Sequence, residues 1–162
     1  MQQIHRITNI INKALDDRSY CTAGFLDVSQ AFDRVWHRGL LYKIKQSLPP
    51  PYFNLLKSYL SDRKFQIRVG NEKSEPQPIK AGVPQSSVLG PTLYTLFTSD
   101  LPTSSNITLG TFADDIAILS INKDPERAAT DLQRHLSTLQ NWFEKWRIRI
   151  NENKTCYITF TL

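Results

Sequence analysis

Apolar residues along this chain recur with two different periods, and the alternation between them lays out its elements. In residues 2–17, Ile4, Ile7, Ile11, Ala14 and Leu15 fall at helical spacing, which predicts an amphipathic helix that packs by one face. Residues 21–28 (CTAGFLDV) form an apolar run of strand length. Ser29 can cap a helix opening at Gln30 and reaching Ser47, with a break near Gly39, and Pro49, Pro50 and Pro51 stop it. Residues 52–60 predict another helix. Residues 65–69 alternate as a strand, 70–78 are polar with two prolines and read as an exposed turn, and 79–83 resume an extended path. Residues 88–101 are apolar and helical, with Gly90-Pro91 tolerated in the first turn. In residues 107–120 (ITLGTFADDIAILS) two apolar runs flank Asp114 and Asp115, the pattern of a hairpin. Asp124 then caps a helix with Pro125 at its first position, running to about Arg147. Leu132, Leu136, Leu139, Trp142, Phe143 and Trp146 share its apolar side, and Arg127, Arg134 and Lys145 the opposite one. Residues 156–160 close the chain as a strand.

This order of elements predicts an α+β fold. It fits a ferredoxin-like split β-α-β arrangement, an antiparallel sheet with helices packed on one face. With 162 residues and no internal repeat, low-complexity tract or linker, residues 1–162 read as one domain. Forty per cent of the residues are hydrophobic and 22% charged, which excludes a disordered chain. The net charge of +5 tips the choice of partner toward a polyanion. Cys21 and Cys156 are too few for a disulfide framework and lack the paired spacing of a zinc site. Both lie in strand-like apolar segments, where buried free thiols are expected, and this suits a reducing, intracellular setting. No apolar run approaches the ~20 residues that span a bilayer. The N-terminal MQQIHRITNI is not a signal peptide. Because the chain opens inside a helical pattern, it reads as a piece of something longer.

Three carboxylates carry the candidate chemistry. Asp114 and Asp115 sit between apolar runs and Asp27 ends one, and charge in such surroundings is costly unless paired or metal-bound. An Asp pair is also an ordinary turn, and a lone Asp27 an ordinary acid at a helix N-terminus. Carboxylates converging at the ends of neighbouring strands would repel one another, and divalent cations relieve that repulsion. Oxygen donors without Cys or His favour Mg²⁺ or Mn²⁺ over Zn²⁺. Two such ions, ~3.5–4 Å apart, can clamp the attacking and leaving oxygens of a phosphoryl transfer. His5, His37 and His135 are scattered, without nucleophile–base spacing. Trp36, Trp142 and Trp146 fit core packing better than base stacking, and Arg34, Arg38, Lys43, Lys45, Lys57, Arg63, Lys64 and Arg68 are candidates for phosphate contact.

Four blocks in order carry a resemblance. The run from Phe25 to His37 (FLDVSQAFDRVWH) resembles the first catalytic motif of reverse transcriptases from non-LTR, LINE-type retrotransposons. Residues 82–91 (GVPQSSVLGP) look like their second conserved block, Phe112-Ala113-Asp114-Asp115 is similar to their Asp-Asp hairpin, and residues 151–155 (NENKT) resemble the lysine-bearing motif that follows. The resemblance is to the jockey type, and it covers essentially the whole chain. It implies a polymerase palm that extends a DNA primer on an RNA template from deoxynucleoside triphosphates, with two Mg²⁺ (or Mn²⁺) ions. Asp27, Asp114 and Asp115 would be the metal-binding catalytic carboxylates, with the Val28 carbonyl as a further ligand. Phe32 would lie under the incoming sugar and exclude a 2′-hydroxyl. Gln85 would touch the nucleotide or template near the forming pair. Lys154 would approach the triphosphate as a general acid.

The chain departs from that family in two respects. Ser86 stands where the second block usually has glycine. If that backbone needs a positive φ, serine costs roughly a kcal/mol. The fingers segments with their basic residues, the thumb and the endonuclease domain carried by many members are absent. The implied setting is a retrotransposon ribonucleoprotein in nucleus or cytoplasm, with no membrane. A rival reading is an inactive or domesticated remnant that only binds nucleic acid or protein.

Overall fold

The computed structural model describes residues 2–84 and 87–162. In chain order the elements are α1 (Gln2–Asp16), β1 (Tyr20–Asp27), α2 (His37–Ser47), α3 (Pro50–Leu60), the short strands β2 (Lys64–Phe65), β3 (Arg68–Val69), β4 (Glu72–Lys73) and β5 (Gln77–Pro78), then α4 (Leu89–Phe97), β6 (Ile107–Phe112), β7 (Asp115–Asn122), α5 (Pro125–Trp146) and β8 (Cys156–Phe160). They fall into two units. Residues 1–29 join 100–162 in the first, and residues 30–99 form the second.

The first unit is built on an antiparallel sheet in the order β6-β7-β1-β8. Strand β1 pairs with β7 from Tyr20↔Asn122 to Asp27↔Asp115, and with β8 from Cys21↔Phe160 to Phe25↔Cys156. Strands β7 and β8 are therefore parallel to each other with β1 between them, a split β-α-β unit closed by α5. The burial of β1 is almost continuous rather than alternating, which is the mark of a strand covered on both faces. Helix α1 packs Ile7, Ile10, Ile11 and Ala14 on the face of Cys21, Ala23 and Leu119. A Cβ on Gly110 would meet Ile7 Cδ1 at 2.8 Å, so the absence of a side chain there lets α1 approach the sheet. On the opposite face, a Cβ on Gly24 would touch Leu132 of α5. Helices thus cover both faces, where a single covered face was expected. The cause is that successive residues of β1 are apolar on both of its sides.

Helix α5 begins as the sequence predicts. Asp124 caps it by accepting from the Glu126 amide at 3.0 Å, and Pro125 opens its first turn. Ala128, Leu132, His135, Leu139, Trp142, Phe143 and Trp146 are buried, and Arg147 ends the helix with φ 59°. His135 Nδ1 lies 3.3 Å from Ser104 Oγ, and burial lowers the pKa of the ring. Trp142 and Trp146 are core residues, as the helical spacing indicated. The two cysteines differ. Cys21 is buried and its thiol pKa is raised by burial, but Cys156 is exposed, against the expectation of two buried thiols. It stands on the edge strand β8, which has a neighbour on one side only.

In the second unit the expected helix at Gln30 is replaced by a turn. Gln30 takes φ 52°, its carbonyl accepts from the amides of Asp33 and Arg34, and helix α2 starts only at His37. Two hydrogen bonds hold the intervening segment extended: Gly82 N donates to Val35 O at 2.9 Å and Val83 N to Phe32 O at 2.8 Å. His37 Nε2 donates to the Gly82 carbonyl at 2.7 Å, a structural use of that histidine. Gly82 is required here, since it has φ 92° and a Cβ would lie 2.9 Å from the Asp33 carbonyl oxygen. Lys43, a candidate for phosphate contact, is buried. It donates to the Phe97 carbonyl and lies 5.1 Å from the Phe97 ring centroid. Among the described residues no helix is long and apolar enough to cross a membrane.

Candidate active site

The turn between β6 and β7 has two residues, Ala113 and Asp114, closed by the pair Phe112↔Asp115. Two-residue hairpins need a positive φ at one or both loop positions, a role glycine or asparagine usually fills. Here Ala113 takes it, at φ 53°. Asp115 then opens β7 directly opposite Asp27, which ends β1. Cross-strand partners share a face of the sheet. Asp27 and Asp115 therefore stand on the same side, the side of Phe25 and of α1, with Asp114 one residue away in the turn. Two carboxylates so juxtaposed repel one another, and a countercharge relieves that repulsion.

One countercharge is visible. Beyond Asp27 the chain bridges Val28 to Ile150, with Asn151 N donating to Asp27 O at 2.8 Å and Ser29 N to Arg149 O at 2.8 Å. The turn that follows is closed by Lys154 N and Thr155 N on the Asn151 carbonyl at 3.2 and 3.0 Å. It delivers Lys154 Nζ to 3.9 Å from Asp27 Oδ1. That lysine is 70% exposed, and an ion pair of this kind contributes at most about 1 kcal/mol to stability. Its interest lies in position.

The bridge also orients Val28. Its hydrogen bonds come from the peptide groups flanking that residue, so the Val28 carbonyl is turned away from Ile150, toward the side of β7. A carbonyl and carboxylates at one sheet end make an all-oxygen donor set, which fits Mg²⁺ or Mn²⁺. Among the described residues no three His, Cys, Asp or Glu side chains are already gathered at metal-holding distance. A groove of about 580 Å³ leads from these carboxylates across the α1 face, lined by Ile4, Ile7, Phe25, Asp27, Phe112 and Asp115, with Lys154 at its polar end.

Of the other expected site residues, Phe32 belongs to the second unit, half-buried with its ring 5.1 Å from that of Tyr94. Gln85 and Ser86 lie outside the described residues. Sequence reasoning missed the exposed Ile4 and Phe112 along the groove, and Tyr94 as the support of Phe32. Phe112 had a signal, an aromatic beside the Asp pair. Tyr94 is 62 positions from Phe32 and had none.

A split β-α-β sheet with paired acids at the β1 end and in the β6–β7 turn is the architecture of a polymerase palm. The telomerase of Candida tropicalis, solved in its apo form without its C-terminal domain, superposes on 96% of this chain and 35% of that one with a TM-score of 0.68, at 14% identity. Residues 1–160 match the family described as reverse transcriptase (RNA-dependent DNA polymerase), and the chain belongs to that family. Its relatives include the probable RNA-directed DNA polymerase from transposon BS of Drosophila melanogaster, 48% identical over all of this chain and 19% of that protein. The RNA-directed DNA polymerases from mobile element jockey of D. melanogaster and D. funebris are 45% and 44% identical, over 98% and 99% of this chain. The chain spans less than a fifth of the length of these relatives.

Proposed function

We propose that this chain is the palm of an RNA-directed DNA polymerase from a jockey-like mobile element. The observation that carries the reading is the register Asp27↔Asp115, which sets the acid ending β1 opposite the acid that opens β7, beside Asp114. The reaction is attack of a primer 3′-hydroxyl on the α-phosphorus of a deoxynucleoside triphosphate. One P–O bond forms, the bond to the β-phosphate breaks, and pyrophosphate leaves. Asp27, Asp114, Asp115 and the Val28 carbonyl would hold two Mg²⁺ or Mn²⁺ ions, which when bound supply a more acidic primer hydroxyl and countercharge for the phosphoryl oxygens. Lys154 stands beside Asp27 as the group that gives a proton to the departing pyrophosphate. By the family resemblance, Phe32 would lie under the sugar and exclude a 2′-hydroxyl by size, and Gln85 would contact the forming pair. The RNA template, the DNA primer and the triphosphate also engage fingers and thumb segments of the parent protein, which works in an intracellular ribonucleoprotein.

The test is metal-dependent primer extension on an RNA template, using the chain joined to flanking segments of the length its relatives have. Asp114→Ala should lower extension at least about a hundredfold, with an unchanged circular dichroism spectrum. Normal extension by Asp114→Ala would sink the assignment. No extension by the folded parent protein would sink the enzymatic reading.

A further inference from the structure

The cations of this chain are unevenly shared. Residues 30–99 hold ten Lys and Arg against four Asp and Glu, a net +6, whereas the carboxylate-bearing unit has ten against eleven, a net −1. Half of the ten lie between Arg63 and Lys80, an exposed ribbon in which β2 pairs with β5 and β3 with β4. The register shifts by one residue between Phe65↔Gln77 and Arg68↔Lys73, so Glu75 and Pro76 form a bulge. Extended backbone sends alternate residues to opposite sides. Lys64 and Arg68 therefore share one side of the ribbon, and Phe65, Ile67 and Val69 take the other.

The pairing adds to this segregation. Lys73 is directly across from Arg68, whereas Glu72 is across from Val69 on the apolar side. Like charges directly opposite destabilise a ribbon. Of the ribbon's two acids, Glu72 is turned to the other side and Glu75 lies in the bulge, and no ion pair among the described residues includes Lys64, Arg68 or Lys73. Arg68 Nε donates to the Gly70 carbonyl at 2.9 Å, which holds its guanidinium along the ribbon. Three exposed cations on one side of the ribbon, none of them in an ion pair, fit a partner whose negative charges repeat at short intervals.

We propose that the Lys64–Arg68–Lys73 side of this ribbon binds the phosphate backbone of nucleic acid, at a site in the opposite unit from the paired carboxylates and without reading base sequence. Only the choice of nucleic acid among polyanions rests on the polymerase reading. Each phosphate contact releases counterions, so affinity must fall steeply with salt.

The experiment measures binding of the whole chain to a fluorescein-labelled RNA 25-mer and to the same RNA paired with DNA, in EDTA, from 50 to 200 mM KCl. Lys64→Ala/Arg68→Ala/Lys73→Ala should weaken binding at least about tenfold at 100 mM salt. It should also flatten the slope of log K against log salt by about 2 to 3. Lys13→Ala/Lys123→Ala/Lys145→Ala, which removes the same charge from exposed positions of the first unit, should leave the slope within about 1 of the parent. Loss in only one of the two probes assigns the ribbon to single-stranded RNA or to duplex, and either result supports the proposal. Equal losses in the two triple variants would overturn it, as would binding to vesicles containing phosphatidylserine but to neither nucleic acid. Because no metal or triphosphate is present, failure here leaves the primer-extension result for Asp114 standing.

Discussion

Ala113 is the residue on which the hairpin turns, and it is the wrong type for its conformation. An L-residue with a Cβ at φ 53° costs about 1–2 kcal/mol, which glycine would avoid while giving back about 0.5–1 kcal/mol of unfolded-chain entropy. Ala113→Gly should therefore raise unfolding stability by roughly 0.5–1 kcal/mol, read from urea denaturation. A fall in stability would mean that the methyl group packs more than it strains. At this scale the candidate acids stood out as positions: Asp27, Asp114 and Asp115 interrupt apolar runs, and the cost of burying charge makes such interruptions conspicuous. Lys154 was legible only through resemblance, because nothing in residues 151–155 alone says that their turn hangs from the end of β1. The exposure of Cys156 was not legible either, since an apolar strand reads the same at an edge as in the middle of a sheet.

Among the elements, α5 obeyed its local signals. Asp124→Ala removes the bond to the Glu126 amide and should cost about 1 kcal/mol, measured against the parent by thermal unfolding; a cost below about 0.3 kcal/mol would show that Pro125 alone sets the start. The segment after Ser29 disobeyed its signals. Its composition suits a capped helix, yet the carbonyls of Phe32 and Val35 accept from the amides of residues 83 and 82. Those long-range bonds compete with helical ones, and local propensity cannot register them. Likewise the alternation of residues 65–69 was a true extended signal, but the bulge at Glu75 and Pro76 splits the ribbon into two short pairs. The bulge depends on the partner strand as much as on the alternating one.

For the whole molecule, acid sensitivity should trace in part to His135. Burial lowers its pKa, so the unfolded state binds the proton more readily than the native state does. The stability this histidine supports is fully present above its unfolded pKa near 6.5 and is lost as pH falls from there through the lower folded value. In His135→Gln, the urea midpoint should change less than that of the parent between pH 7.5 and 5; parallel curves would remove His135 as the source.

The sequence by itself determined the α+β class, most of the helices and strands, and the positions of three candidate acids, because periodicity and the cost of isolated charge act within a few residues of each position. Only the tertiary structure decided that helices cover both faces of the sheet, that Asp27 stands across from Asp115, and that Lys154 comes within 3.9 Å of Asp27. It also decided that the cations gather on one side of a ribbon. These follow from which distant strands pair and in which register, and a shift of one residue would have turned every one of those side chains to the other face.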